Sequence, residues 1–264
     1  LYKHNFNLKD PTSPSLQTVF DQGTNVGILA QELFPNGVDA SPESYYKMFE
    51  SVYKTLDFIN KGEKIIYEAT FHFNDVLAAL DVLVKDMEGW KAYEVKSSTS
   101  LSEVNIKDAA IQYYTIINSG IELKDISIVH INNQYTKDGE LDINQLFTIE
   151  SVYNQVLDFL PRIPSEVRRL KSVIESSEPP QIDIGPHCFD PYYCDFKGTC
   201  WKHVPEYSVF DISNLRKNKK FDLYNQGIIT LNQIDLNNTT LNQNQVLQIQ
   251  SEVNSTNHID KEKI

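Results

Sequence analysis

The chain has 264 residues, of which 41% are hydrophobic, enough apolar material for one large domain or two modest ones, each with its own core. Its formal charge of −12 argues against a protein that coats nucleic acid through a positive surface, but not against an enzyme that holds nucleic acid in a local positive groove or through a bound metal ion. No apolar run is long enough to span a membrane, and the first residues show neither an initiator Met nor a signal peptide, so we expect a cytoplasmic fragment of a longer protein without membrane contact.

Apolar periodicity predicts two helices near the start of the chain. Residues 16–34 repeat apolar residues at helical spacing and are interrupted by Gly23 and Gly27, which predicts a helix with a closely approached face. Residues 43–60 follow a Ser-Pro start signal and predict a second, amphipathic helix. We interpret its large side chains as core residues: Tyr46, Phe49, Tyr53 and Leu56.

The helical period then gives way to the alternation that is typical of strands. Three such runs, separated by two turn sequences, predict an antiparallel meander over residues 64–73, 76–85 and 90–97. A helix over residues 105–119 and an apolar strand over residues 126–132 follow. The predicted fold is therefore α/β, in the order helix, three strands, helix, strand.

The rest of the chain predicts helices and a cysteine-rich segment. Residues 148–176 are expected to be helical, with breaks near two prolines, and the Asn- and Gln-rich end of the chain shows short helical patterns. We divide the chain into a main domain over residues 1–184, a cysteine-rich segment over residues 185–203 and a small helical region over residues 204–264. The last of these is expected to lead into a further domain.

Three acidic residues fall on the predicted meander. Asp81 has apolar neighbours on both sides, and an ionised carboxylate buried there needs a cation or strong hydrogen-bond donors. Glu94 on the next strand is expected to be close enough to share a cation with it, and Glu68 on the preceding strand can add a third carboxylate. The alternative is that Asp81 caps a backbone group or pairs with a lysine.

The residues around Glu94 suit a hard divalent cation. Asp81, Glu94 and the backbone carbonyl of Val95 would form an all-oxygen site of the kind that Mg²⁺ or Mn²⁺ prefers. Lys96 shares a face of the strand with Glu94, since residues two apart in a strand point the same way. Beside a metal ion, Lys96 is expected to have a lowered pKa and to position or deprotonate a water. Such a site is fit for phosphodiester hydrolysis.

The pattern of Asp81 followed after twelve residues by EVKSS, in this order of elements, resembles the PD-(D/E)XK nuclease superfamily over about residues 16–132. The resemblance implies a mixed central sheet flanked by helices and metal-dependent hydrolysis of DNA, single-stranded or end-directed, by an exonuclease or endonuclease. It implies that Asp81 and Glu94 bind the cation and that Lys96 assists the water. Glu68 matches the additional acidic residue that many members carry on the first strand.

The helix after the meander is similar to that of the RecB-like branch, in which a Gln is followed four residues later by a Tyr and both help position metal and DNA. Here Gln112 is followed by two tyrosines while position 116 is Ile, so the resemblance gives the positioning role to Gln112 and Tyr114. The branch often has a metal-binding His on its first helix, where this chain has Gly27. Either Glu68 compensates, or the chain is a catalytically weak or inactive nucleic-acid-binding module of a larger nuclease.

The three cysteines lie together on a segment rich in Pro and Gly. Cys188, Cys194 and Cys200 are each separated by five residues, and in a chain without a secretory signal this spacing favours a ligand set over disulfides. A zinc site completed by His187 or His203 is one possibility, and a chain without metal is another.

The cysteine segment also resembles that of the CRISPR-adaptation nucleases and related iron–sulfur helicase-nucleases. That resemblance implies a structural 4Fe–4S cluster on Cys188, Cys194 and Cys200, with the fourth Cys upstream of Leu1, and leaves open a redox sensor that switches cleavage. Nearly the whole chain is similar to a bacterial domain family without an assigned function, through motifs such as EVKSSTS and GPHCFDPYYC. In that family a DnaQ-like exonuclease segment often follows, which implies DNA and a DnaQ-like exonuclease domain as partners.

Overall fold

A computed structural model describes residues 2–3, 5–237 and 240–257, without the side chain of Tyr45. The chain forms two compact units. One is Thr12–Glu175, and the other combines the described residues up to Pro11 with those from Ser176 onward. The predicted boundaries after residues 184 and 203 stay a prediction, and residues 258–264 of the predicted helical region lie outside the described residues.

The unit Thr12–Glu175 is built on a mixed six-stranded sheet whose strands lie side by side in chain order. The strands are β1 (Val38–Asp39), β2 (Ile65–Phe73), β3 (Val76–Lys85), β4 (Trp90–Lys96), β5 (Leu123–Ile131) and β6 (Phe147–Ser151). The pairs β1–β2 and β4–β5 are parallel, and the other three pairs are antiparallel. The predicted α/β class and the order helix, three strands, helix, strand are confirmed.

Six helices flank this sheet or follow it: α1 (Pro14–Ala30), α2 (Met48–Lys61), α3 (Glu103–Asn118), α4 (Ile143–Leu146), α5 (Tyr153–Phe159) and α6 (Ile163–Glu175). The start of α1 is fixed by Ser13, whose side chain accepts the N–H of Leu16, and by Pro14 at its first position. A reciprocal cap between Ser102 and Asn105 starts α3. Since only a short loop joins β4 to α3, the first turns of α3 lie beside the end of β4.

The sheet buries apolar side chains on both faces. The larger core joins one face to α3, α5 and α6, and it includes Phe71, Leu80, Ile116, Ile126 and Ile128. A smaller core joins the other face to α1 through Ala30, Val129 and Phe147. Ile128 and Val129 are adjacent in β5 and therefore point to opposite faces. The central strands β3 and β4 each carry fully buried residues, which specifies their register.

The helical prediction for residues 148–176 is wrong in its first part. Residues 147–151 form the edge strand β6, which pairs with β5, before α5 and α6 begin. The five-residue segment is too short for its period to distinguish a strand from a helix. The two-residue strand β1 was not predicted either, because its pattern is shorter still.

The predicted core role of the large side chains on α2 is also wrong. Tyr46, just before the helix, is 95% exposed, while Phe49 and Tyr53 are 56% and 71% exposed. The helix instead buries Ser51 and Thr55, whose hydroxyls bond to β2 and its neighbours. These two residues face the sheet because their hydroxyls form hydrogen bonds with buried backbone groups. The apolar periodicity of the sequence does not register such hydrogen bonds.

The closely approached face predicted for α1 is not present. A methyl group at Gly23 or Gly27 would meet no atom within 4 Å among the described residues. The helix contacts the sheet through other residues, among them Val26, Leu29 and Ala30. The two glycines therefore lie on an open side of α1.

The second unit carries the helices α7 (Lys197–Cys200), α8 (Lys217–Asn225) and α9 (Gln243–Asn254). Its apolar core contains Val209, Ile212, Leu231 and Ile249. Asp10 joins the beginning of the chain to the cysteine segment, since its N–H donates to the carbonyl of Asp195 and its carboxylate accepts the N–H of Gly198. Across the described residues, we find no helix with the length and apolar character of a membrane span.

Candidate functional site

The pairing of β3 with β4 stops beside two carboxylates. Val82 pairs with Tyr93, and the next pair in that register would be Asp81 and Glu94. At that position the N–H of Val95 donates to Oδ2 of Asp81 at 2.5 Å, so a side-chain oxygen of β3 is its acceptor and not a backbone carbonyl. One oxygen of Asp81 thus caps a backbone group, as the alternative interpretation of the sequence proposed. The same contact brings the carboxylate next to the Glu94-Val95 segment.

Glu68 interrupts the neighbouring pair of strands. Tyr67 and Ala69 on either side of it pair with β3, but Glu68 itself has a φ of 54°, in the left-handed region that residues with a side chain rarely adopt. Its carbonyl accepts bonds from the hydroxyls of Ser51 at 3.3 Å and Thr70 at 3.1 Å. Backbone strain of this kind persists only where the surroundings hold it in place, and it concentrates at functional sites.

The hydroxyls that hold Glu68 give a stability prediction. The single hydroxyl proton of Ser51 is shared with the nearer carbonyl of Ala40 at 2.6 Å, and the same hydroxyl lies 2.7 Å from that of Thr70. We expect Ser51→Ala to lower the free energy of unfolding by about 1–3 kcal/mol, because it leaves buried acceptors without a donor. Urea denaturation measures this, with the exposed Ser15→Ala as a control that stays within about 0.5 kcal/mol. If Ser51→Ala were as stable as the parent, the Ser51 hydroxyl would not be what holds the backbone at Glu68.

The three carboxyl groups all hold protons more tightly than free carboxylic acids do. Burial raises the pKa of Glu94, and the charge of Asp81 adds to the effect. Burial likewise raises the pKa of Asp81, although the Val95 N–H opposes it. For Glu68, burial and the charges of Asp39 and Glu94 raise the pKa. The three groups therefore lie within electrostatic reach of one another, and a cation among them would relieve their repulsion.

Glu94 is the most deeply buried member of this group, with 7% of its surface exposed. Its Oε1 accepts the ammonium of Lys96 at 2.7 Å. Its Oε2 is buried and has no hydrogen-bond partner in the part of the chain that the structure describes. An unpartnered buried carboxylate oxygen is costly, and a hard divalent cation is the kind of group that satisfies it.

Lys96 is held between two carboxylates. Its ammonium donates to Glu94 and to Oδ2 of Asp108 on α3, at 2.5 Å. Burial would lower the pKa of Lys96, but the charges of Glu94 and Asp108 and their hydrogen bonds outweigh it, and the pKa is raised. The lowering of the Lys96 pKa beside a metal ion stays a prediction. Sequence reasoning missed Asp108, although it precedes Gln112 by one helical turn.

Gln112 lies beside this group, whereas Tyr114 does not share its side of α3. Gln112 is buried, and its Oε1 has no hydrogen-bond partner among the described residues. Asp108 and Gln112 are four residues apart and lie on one side of the helix. Tyr114 is two residues further and its ring packs edge-on against Phe73, with 5.7 Å between centroids. The substrate-positioning roles of Gln112 and Tyr114 stay predictions.

The carboxylates do not form a finished metal site. Within residues 2–3, 5–237 and 240–257, no three His, Cys, Asp or Glu side chains are gathered closely enough to hold a metal ion. Lys96 already satisfies one oxygen of Glu94, and Val95 satisfies one of Asp81. Glu94 lies within electrostatic reach of Asp81, Glu68 and Lys96, and their role as a metal site stays a prediction.

Among the described residues, none of the three cysteines forms a disulfide. Cys188 and Cys194 are joined through their backbones, with the Cys194 N–H donating to the Cys188 carbonyl at 3.0 Å. Burial raises the pKa of the Cys200 thiol, and the other two cysteines add to this effect, so the three lie near one another. His203 is engaged by the hydroxyl of Tyr224 at 2.8 Å. The iron–sulfur cluster and the zinc alternative both stay predictions.

Comparison with known proteins gives one weak structural likeness. No family model matches the chain, and no curated protein matches it. Among solved structures, an alkaline exonuclease from Laribacter hongkongensis is similar in 64% of this chain and 90% of its own, with 14% sequence identity and a TM-score of 0.23. A likeness at this level establishes neither a shared site nor a shared activity.

Proposed function

We propose that the chain is a divalent-metal-dependent nuclease that hydrolyses phosphodiester bonds in DNA. Asp81, Glu94 and the carbonyl of Val95 would hold Mg²⁺ or Mn²⁺, with Glu68 in support. The observation that carries the proposal is the unpartnered, buried Oε2 of Glu94 beside two further carboxyl groups of raised pKa. A divalent ion bound there would activate water and neutralise charge on the phosphate.

The role proposed for Lys96 follows from its contacts. Glu94 and Asp108 raise the pKa of Lys96 and accept its ammonium, which as a hydrogen-bond donor would orient the attacking water or donate to a phosphate oxygen. Asp108 fixes the direction of the ammonium from the side of α3. When the carboxylates turn toward a cation, Asp108 can keep Lys96 at the site. Gln112 and Tyr114 would position the substrate.

Finer assignments are proposed on the family resemblance. We propose a substrate that is single-stranded or attacked at its end, and a DnaQ-like exonuclease domain that acts with this one. A 4Fe–4S cluster on Cys188, Cys194 and Cys200 would act as a structural staple, completed by a Cys upstream of Leu1. The contacts of Asp10 with Asp195 and Gly198 support this, since they already bring the beginning of the chain to the cysteine segment.

A second candidate function is nucleic-acid binding without cleavage. It is favoured by the absence, among the described residues, of three ligands gathered for a metal ion, and by Gly27 where relatives carry a His. Isothermal titration of the protein with Mn²⁺ separates the two. A nuclease binds about one equivalent and then cleaves labelled DNA, whereas a binding module holds DNA without doing either.

The raised carboxyl pKa values predict proton release on metal binding. Since a cation binds the ionised carboxylates, Mn²⁺ must displace protons at about pH 6, well above the ordinary carboxyl pKa of about 4. The release should diminish as the pH rises and the groups ionise on their own. Calorimetric titration with Mn²⁺ at one pH, in two buffers of different ionisation enthalpy, measures the number of protons released, because the apparent binding enthalpies then differ. Equal enthalpies at pH 6 would contradict the assignment.

A further inference from the structure

The second unit contains a cavity of about 750 Å³ whose wall includes five aromatic side chains. Phe189 is at the centre of this aromatic cluster, with edge-to-face contacts to Tyr193 at 5.3 Å and Trp201 at 5.3 Å. Trp201 continues the cluster to Phe210 at 4.6 Å, and Phe210 to Phe221 at 5.1 Å. Tyr193 is 69% exposed, so part of this aromatic surface is accessible from outside.

Two lysines lie against the same rings. The ammonium of Lys197 is 4.9 Å from the ring centroid of Phe189 and 5.2 Å from that of Trp201, and the ammonium of Lys217 is 5.0 Å from that of Phe189. In the part of the chain that the structure describes, neither lysine forms an ion pair. Their charges are balanced only by ring faces, which are weak partners compared with an anion.

The carboxylates that line the cavity are mostly engaged elsewhere. Asp10 accepts the N–H of Gly198, and Asp211 accepts the N–H and hydroxyl of Ser208 at 2.9 Å. Glu206 is exposed at the cavity wall. Lys220, the third lysine in the lining, donates to the carbonyl of Phe210 at 2.6 Å. The two ammonium groups that lie against the ring faces are those of Lys197 and Lys217.

We propose that this cavity binds an unpaired nucleotide of a single strand, with the base on the aromatic rings and the flanking phosphates on Lys197 and Lys217. Aromatic rings take any base by stacking, and ammonium groups follow the backbone phosphates. The indole N–H of Trp201 is buried without an acceptor among the described residues, and a base carbonyl that reached it would gain a hydrogen bond. A basic peptide fits less well, since Lys197 and Lys217 repel it.

The site is separate from the proposed cleavage reaction, because all its residues belong to the second unit. The test is fluorescence anisotropy of a 5′-labelled oligothymidylate with the full chain in EDTA, so that no metal-dependent cleavage occurs. We expect the double variant Lys197→Ala, Lys217→Ala to bind the oligonucleotide about tenfold or more weakly. The slope of its log binding constant against log salt concentration should become shallower by about 1.4, at about 0.7 for each phosphate that is no longer neutralised. The exposed Lys202→Ala is the matched control.

Tyrosine variants test stacking separately from charge. Tyr193→Ala should weaken binding by about 5- to 150-fold, the equivalent of about 1–3 kcal/mol, and Tyr193→Phe should restore it. Tyr192 is equally exposed at 69% but does not line the cavity, so Tyr192→Ala should bind like the parent. Unchanged binding by the lysine and Tyr193 variants, or equal binding of a duplex, would overturn the proposal. Binding that survives without any Mn²⁺-dependent cleavage would instead overturn only the proposed nuclease.

Discussion

The Glu94→Gln variant is expected to lose Mn²⁺-dependent cleavage of DNA by more than about 100-fold, since even outer partners of a bound metal are worth 10–100-fold. The amide keeps the shape of the side chain but removes the charge that a divalent cation needs. Titration with Mn²⁺ and cleavage of end-labelled single and double strands measure the two losses. The exposed Glu140→Gln is the matched control and should behave like the parent.

The same variant should not destabilise the protein in the absence of metal. Burial raises the pKa of Glu94, so the ionised group opposes folding, and that effect grows as the pH rises from the unfolded carboxyl pKa of about 4 toward the higher folded value. We expect the Tm of Glu94→Gln to equal or exceed that of the parent at neutral pH, and the gain to vanish below about pH 4. If Glu94→Gln cleaves DNA as fast as the parent, Glu94 does not belong to the catalytic machinery.

The second large effect is expected for Lys96→Met, which should lose cleavage but keep metal binding, whereas Glu94→Gln should lose both. Lys96→Met removes the ammonium that competes for Oε1 of Glu94. We expect Mn²⁺ to bind at least as tightly as in the parent, while cleavage falls by about 100-fold or more, the usual worth of a positioned proton donor. Titration calorimetry and single-turnover cleavage separate the two effects.

Thermal unfolding provides the check on folding for Lys96→Met. Without metal the variant leaves Glu94 and Asp108 facing each other without a cation, so its Tm should fall, and saturating Mn²⁺ should restore it. A variant that loses metal binding together with cleavage would show that Lys96 is needed for the site to assemble. Normal cleavage by the variant would show that Lys96 takes no part in the reaction.

The sequence predicted β2, β3, β4 and β5 because each is long enough for its pattern to identify a strand, whereas β1 and β6 are too short. The strands β2, β3 and β4 match their predicted bounds to within a residue, since each carries many alternating residues between clear turns. The alternation also placed Glu94 and Lys96 on one face and Tyr93 with Val95 on the other, as the two separate cores show. Proximity of Asp81 and Glu94 followed from the register of the two strands.

The sequence could not show features that depend on contacts between distant elements. The bond from Lys96 to Asp108 joins a strand to a helix, and nothing local to either residue indicates it. The left-handed backbone of Glu68 depends on hydroxyls from α2 and β2. For the same reason the sequence did not show that Ser51 and Thr55 of α2 are buried, where their hydroxyls bond to Thr70 of β2.

The central claim is that Asp81 and Glu94 share one divalent cation. Anomalous diffraction from crystals of the full chain soaked in Mn²⁺ tests it directly. The account predicts one strong peak about 2.1 Å from a carboxylate oxygen of each residue, the distance typical of small hard cations, with the ammonium of Lys96 displaced from Oε1 of Glu94. Saturating Mn²⁺ that leaves no peak between these carboxylates, with Lys96 still bound to Glu94, would contradict it.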